Sequence, residues 1–386
     1  MPTPAAPTPA RRTVRARPAA VTPPRWPKNA PNPVLVEVRR GGLVESRHRG
    51  AIVQVGADLA VERALGDPEL LVTLRSAVKP FGLTALVESG AADAFHLTAA
   101  ELAVMAASHS GEDLHVRTLQ AVFRRANISQ ATLGCGTAGA PLDGLTAARL
   151  ARDGEKPGAI RHQCSGFHAA SILLSRHAGW PLDEYWRPEH PSQAAVRSAV
   201  GRSFGIRPET LVRATDACGV ETFAFPLVAV ARAYAYLADP HGVAADVARA
   251  ALAPAMARVR DAMLGAPEMV GGTRDRLDTA LMSVRPGKLV SKGGAEGLRG
   301  VALLPGSRTA SGDGAAAGLA IRIDDGNEVR AGRAATVEAV AQVGALDERA
   351  LRAVAAFHRP KATDPRGALV GETVAVFQLA PISELF

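Results

Sequence analysis

The chain has 386 residues, of which 47% are hydrophobic, 4% aromatic and 21% charged, with a formal net charge of +8. This composition permits a large buried core, and no apolar run is long enough to cross a bilayer, so no membrane partner is expected. Arg11, Arg12, Arg15, Arg17, Arg25 and Lys28 all fall in residues 1–33, a stretch without Asp or Glu, which leaves +2 for residues 34–386; a near-neutral folded part gives no footprint for nucleic acid.

Residues 1–33 are rich in Pro, Ala and Arg. Proline removes backbone donors and blocks helix, and nothing there can build a core, so a disordered tail is expected, followed by one catalytic domain over 34–386. The tail has no hydrophobic block of the kind a signal peptide needs. Three cysteines, Cys135, Cys164 and Cys218, are too few for a disulfide scaffold in a chain of this size. A reducing, cytoplasmic location is the expectation.

In chain order, residues 33–56 alternate apolar and polar side chains around Gly41-Gly42, which predicts short antiparallel strands. Helical periodicity follows at about 76–89, 98–107, 112–126, 166–178, 191–204, 225–238, 246–264 and 274–285. Thr98 with Glu101 three residues on predicts a capping box. Strand patterns return at 288–306 and 315–326, helices at 332–342 and 347–357, and a last strand within 372–380. Strands at both chain ends with helices between predict an α+β fold: one antiparallel sheet built from the N- and C-terminal strands, flanked by helices, with a helical lobe inserted.

Ser76 and Lys79 stand one helical turn apart, so they share a face. A serine hydroxyl becomes a useful nucleophile when a neighbouring base takes its proton, and a lysine is such a base only when burial or a nearby cation depresses its pKa. Two further segments fit that need. "ASHSG" offers Ser108 as a relay, and "VSKGG" offers Lys292 on a strand as the cation for Lys79. The order S-x-x-K, Ser, Lys-Gly is that of penicillin-interacting serine enzymes. The plainer alternatives are a helix cap at Ser76, a helix start at Lys79-Pro80, Ser110 as a helix cap and a glycine turn after Lys292.

The blocks "VESRHRG", "RSAVKP", "ASHSGEDLH", "CSGFHAA", "WRPEHP" and "TDACG…FAFPL" resemble the asparaginase II family, the Rhizobium-type or class 3 L-asparaginases, from about Val34 to the C-terminus. The resemblance implies a serine β-lactamase-like fold, L-asparagine as substrate and a homodimer. It places Ser76 with Lys79, and Ser108 with Lys292, on the family's two Ser–Lys pairs. Arg75, Asp216 and His168 fall on substrate-site positions, and Cys164 and Cys218 on the two cysteines of a zinc site. Phe167 stands where the family has a metal-binding lysine, which puts an aromatic ring in place of a donor. No cofactor is therefore expected to be required; the alternative is a zinc held by the two cysteines with His162, His168 or Asp216 completing the set. The expected reaction is hydrolysis of L-asparagine to L-aspartate and ammonia. The alternatives are another S-x-x-K hydrolase (an amidase, an esterase or a β-lactam-cleaving enzyme) and an amino-acid-binding relative without turnover.

Overall fold

Gly41 adopts a φ of 56°, a left-handed geometry open to a residue without Cβ, and the chain doubles back there. This computed structural model describes residues 26–27, 30–243, 246–308 and 314–382. Most of the tail expectation for 1–33 lies outside the described residues. The strands are β1 (Val34–Arg40), β2 (Leu43–Gly56), β3 (Val61–Leu65), β4 (Leu71–Thr73), β5 (Val212–Thr215), β6 (Glu221–Pro226), β7 (Leu289–Gly293), β8 (Leu298–Leu303), β9 (Ala317–Ile323), β10 (Lys361–Thr363) and β11 (Leu369–Ala375). The main sheet is antiparallel throughout in the order β10-β11-β1-β2-β9-β8-β7, with β3 on β2. The two chain ends thus meet at β1 and β11, where Val36 faces Ala375. The α+β architecture matches the sequence expectation.

The principal helices are α1 (Lys79–Glu88), α2 (Ala99–Met105), α3 (Asp113–Arg125), α4 (Gly144–Arg152), α5 (Ser165–Ala178), α6 (Pro191–Phe204), α7 (Leu227–Ala238), α8 (Val247–Gly265), α9 (Leu277–Val284) and α10 (Arg333–Gln342). The capping box at α2 is present: Thr98 Oγ1 accepts from the Glu101 amide, and the Glu101 carboxylate accepts from the Thr98 amide at 2.8 Å. Ser110 does not cap α3. Its hydroxyl donates to Glu112, which occupies the N-cap position.

Helix α7 is buried along almost its whole length and packs on β2, β8 and β9. It lies so close that a Cβ on Gly318 of β9 would run into the Ala231 carbonyl and the Ala235 amide. Those are backbone atoms that cannot step aside. Gly318→Ala is expected to destabilise the protein by about 2 kcal/mol or more through overpacking, read as a lower urea midpoint.

Three differences from the sequence reading have physical causes. The helix expected over 225–238 begins at Leu227, because residues 225–226 close the strand β6 and Pro226 stands at the helix N-cap. β6 joins β4 and β5 in a small second sheet; β4 is three residues long and β5 is wholly exposed, so neither has a readable alternation. The helix expected over 347–357 is two short pieces, Glu348–Ala353 and Ala355–His358. Among the described residues no helix is long and apolar enough to cross a membrane.

Candidate active site

Arg75 has a φ of 49°. A non-glycine residue in that region carries strain of about 1–3 kcal/mol, which persists only where the surroundings enforce it. Here they do. The Leu74 amide bonds to the Phe223 carbonyl of β6 at 2.9 Å. The Tyr234 hydroxyl of α7 donates to the Ala77 carbonyl at 2.9 Å. Gly294, just beyond β7, fits against the Leu74 carbonyl where a Cβ would meet it at 2.6 Å. The strained turn opens a 3-10 segment, Arg75–Val78, that runs straight into α1. It presents Ser76 to a cavity of ≈ 190 Å³. The Ser76 hydroxyl has no hydrogen-bond partner among the described residues.

One turn on, Lys79 is 2% exposed. Its amine donates to the Ala107 carbonyl at 2.8 Å, to Cys164 Sγ at 3.2 Å and to Ser108 Oγ at 3.4 Å. The shared helical face therefore brings Lys79 to Ser108 rather than into a hydrogen bond with Ser76. Ser108 sits in the loop after α2, fixed by its amide on the Val270 carbonyl and by its carbonyl, which accepts from Arg276 Nη2 at 2.6 Å. From the other side the Lys292 amine of β7 donates to Ser108 Oγ at 2.9 Å and to the Gly293 carbonyl at 2.6 Å. Ser108 is thus the bridge between two buried lysines.

Burial brings the Lys292 pKa down to about 7, with the charges of Lys79, Arg276 and Arg299 acting in the same direction and Asp278 against them. The sequence reading cast Lys292 as the cation that depresses Lys79; in the structure Lys292 is itself depressed, in part by Lys79. Asp278 is held at about 2 against the pull of burial, chiefly by Arg299 and Lys292. It receives the Gly293 amide, the Ser291 hydroxyl and the Arg299 guanidinium, and so anchors the strand that carries Lys292. Sequence reasoning missed Asp278, Arg276 and Arg299. Asp278 was read only as one residue of the helix expected over 274–285. A buried Arg on a strand that otherwise reads as apolar was the one signal available.

Arg75 and Asp216, each expected to meet substrate, also meet each other: Arg75 Nε donates to Asp216 Oδ1 at 2.8 Å, and both line the cavity. His168 is different. It is fully buried, does not line the cavity, and bonds through Nδ1 to the Tyr185 hydroxyl at 2.6 Å. Burial drives its pKa to about 3, so it stays neutral. The structure thus places His168 in the core and does not bring it to the cavity with Arg75 and Asp216.

Cys164 and Cys218 both line the cavity. The bond from Cys218 and the nearby Lys79 charge hold the Cys164 thiol well below its ordinary value despite burial, while the same pairing and burial push Cys218 up. Phe167 is 2% exposed, and its ring tip would lie 2.9 Å from a Cβ on Gly82 of α1, so it packs in the interface of α1, α5 and α6. It does not line the cavity that holds the two thiols.

Among the described residues no three His, Cys, Asp or Glu side chains converge as a metal set. Asp216 is bound to Arg75 and His168 to Tyr185; His162, which also lines the cavity, accepts the Cys164 amide through Nδ1 at 3.1 Å, and the amine that reaches Cys164 belongs to Lys79. The residues present do not fit the family's zinc, since a zinc site needs three or four donors. Purified protein is expected to hold well under one zinc per chain by elemental analysis, and its activity is expected to survive a strong chelator. One tightly held zinc with loss of activity on chelation would contradict this.

Comparison with solved structures returns slight likenesses. "Crystal Structure Analysis of Mglu" gives a TM-score of 0.39 at 16% identity, covering 78% of this chain and 69% of that one. A probable glutaminase of Bacillus subtilis gives 0.37 at 11%, covering 77% and 88%. No curated protein matches the chain. The family model for L-asparaginase II matches residues 36–375, from β1 through β11 and across every cavity residue described above. The chain belongs to the L-asparaginase II family and is an amidohydrolase.

Proposed function

We propose that this amidohydrolase cleaves the side-chain amide of L-asparagine, giving L-aspartate and ammonia through a serine ester. The observation that carries the reading is the pair of buried amines on Ser108, at 3.4 and 2.9 Å, with Ser108 lining the same cavity as an unbonded Ser76 hydroxyl. Near neutral pH Lys292 is partly uncharged, so the pair can hold one proton less than two ammonium ions. Ser108 passes that vacancy from Lys292 to Lys79. Lys79 then takes the Ser76 proton as Ser76 Oγ attacks the amide carbon. The proton returns through Ser108 to the leaving nitrogen, which departs as ammonia. Water, deprotonated by the same pair, cleaves the ester and restores Ser76.

The cavity is small and carries charges of both signs, which suits a zwitterionic amino acid. Asp216, oriented by Arg75, is the acceptor for the substrate ammonium group.

Ammonia release from L-asparagine and L-glutamine, with a chromogenic β-lactam alongside, tests the reading. Turnover of asparagine and no β-lactam cleavage is expected; β-lactam or ester turnover without asparagine would overturn it. The pH profile has a defined sign. Lys292 accepts a proton only in its neutral form, so kcat/KM is expected to fall about tenfold per unit below pH ~7 and to level off above it. A rate that stays flat down to pH ~5 would remove Lys292 from the proton path.

A further inference from the structure

Four arginines line the cavity: Arg75, Arg276, Arg299 and Arg333. Three have carboxylate partners. Arg75 pairs with Asp216 at 2.8 Å and Arg333 with Asp275 at 2.7 Å; Arg299 is held by Asp278 and Glu328. Arg276 forms no ion pair among the described residues. Among the described residues its guanidinium makes one hydrogen bond, to the Ser108 carbonyl. Asp278, two residues away at the start of α9, does not serve it, because its oxygens are taken by Ser291, Gly293 and Arg299. Burial also holds the Arg276 pKa below its ordinary value, as expected of a guanidinium withdrawn from water without a contacting anion.

A guanidinium has five N–H donors in a planar fork that matches a carboxylate bidentately. Only one is committed here. A charged group that is partly desolvated and unpaired is costly, and a carboxylate entering the cavity offsets that cost. The link to the Ser108 carbonyl also sets the position of such a carboxylate relative to the hydroxyl between the two lysines.

We propose that Arg276 is the receptor for the α-carboxylate of the substrate, so that the enzyme selects amides carrying a free carboxylate. This rests on the asparagine reading above. Arg75 is then the partner that orients Asp216, and the carboxylate and ammonium ends of the substrate are held by different arms of the cavity.

The test compares L-asparagine with 3-aminopropanamide, which keeps the amide and the amine but lacks the carboxylate. The ratio of their kcat/KM values is measured in the wild type, Arg276→Gln and Arg276→Lys, with thermal melts as a folding check. The wild type is expected to favour asparagine strongly. In Arg276→Gln that ratio should fall about a hundredfold, mostly through a higher KM for asparagine, as loss of uniform binding requires. Arg276→Lys should fall between, and it carries the test if the Gln variant does not fold. An equal loss on both amides, which leaves the ratio unchanged, would overturn the proposal and make Arg276 a support for the Ser108 loop; no loss on either amide would overturn it outright. If the wild type cleaves neither amide, the asparagine reading fails. The carboxylate subsite is then decided separately by calorimetric binding of succinate: weaker binding to Arg276→Lys supports it, and equal binding to both proteins overturns it.

Discussion

Ser76→Ala is expected to lower kcat for L-asparagine by at least about 10⁴-fold while leaving the melting temperature within a degree or two of the wild type. The two halves of that expectation come from the same fact. The Ser76 hydroxyl makes no hydrogen bond within the protein and faces the cavity, so its removal leaves no donor or acceptor stranded. Surface-like substitutions of this kind change stability by about 0.5 kcal/mol or less. The turn that presents it is held by other atoms: the Leu74 amide, the Ala77 carbonyl and the fit of Gly294. Loss of activity therefore reports chemistry and not unfolding. A folded Ser76→Ala protein with near wild-type turnover would remove Ser76 from the nucleophile role.

Lys292→Met is the second large effect. Removing an amine that takes and returns a proton should lower kcat by about 10²–10⁴-fold, and the acid limb near pH 7 should vanish with it. The substitution is well suited to the position. Lys292 is fully buried on β7, and a methionine fills a similar volume without the desolvation that depresses the lysine. Asp278 would lose one favourable charge and keep Arg299, Ser291 and the Gly293 amide. The protein should fold. Lys79→Met would be as damaging to activity but less clean: it strands the fully buried Ala107 carbonyl, at a cost of about 1–3 kcal/mol, whereas the Gly293 carbonyl that Lys292 leaves is only part-buried.

Much of the scaffold was legible in the sequence where period and punctuation agreed. Gly41-Gly42 between two alternating runs gave the β1–β2 hairpin, and Thr98 with Glu101 gave the start of α2. Helix α4 was missed although its signals were present: Asp143 caps it by accepting from the Thr146 amide at 2.8 Å. β5 was not readable, because a four-residue exposed strand owes its existence to β6 and not to its own residues. The site divides in the same way. Ser76 and Lys79 are close in sequence, so spacing alone placed them on one face. That Lys79 would turn toward Ser108 and Cys164, and that Lys292 would be the amine with the lowered pKa, depends on which groups surround each one after folding. Arg276 was invisible for a related reason. Its distinguishing feature is a missing partner, and that becomes visible only when every other arginine around the cavity has found one.

Identification of the acylated residue tests the central claim most directly. The protein is mixed with L-asparagine at saturating concentration, quenched in acid within the first turnovers, digested and sequenced by mass spectrometry. The account predicts an aspartyl ester on the peptide that contains Ser76, absent from Ser76→Ala and still formed, more slowly, in Lys292→Met. An ester on the Ser108 peptide would contradict it and make the serine between the two lysines the nucleophile.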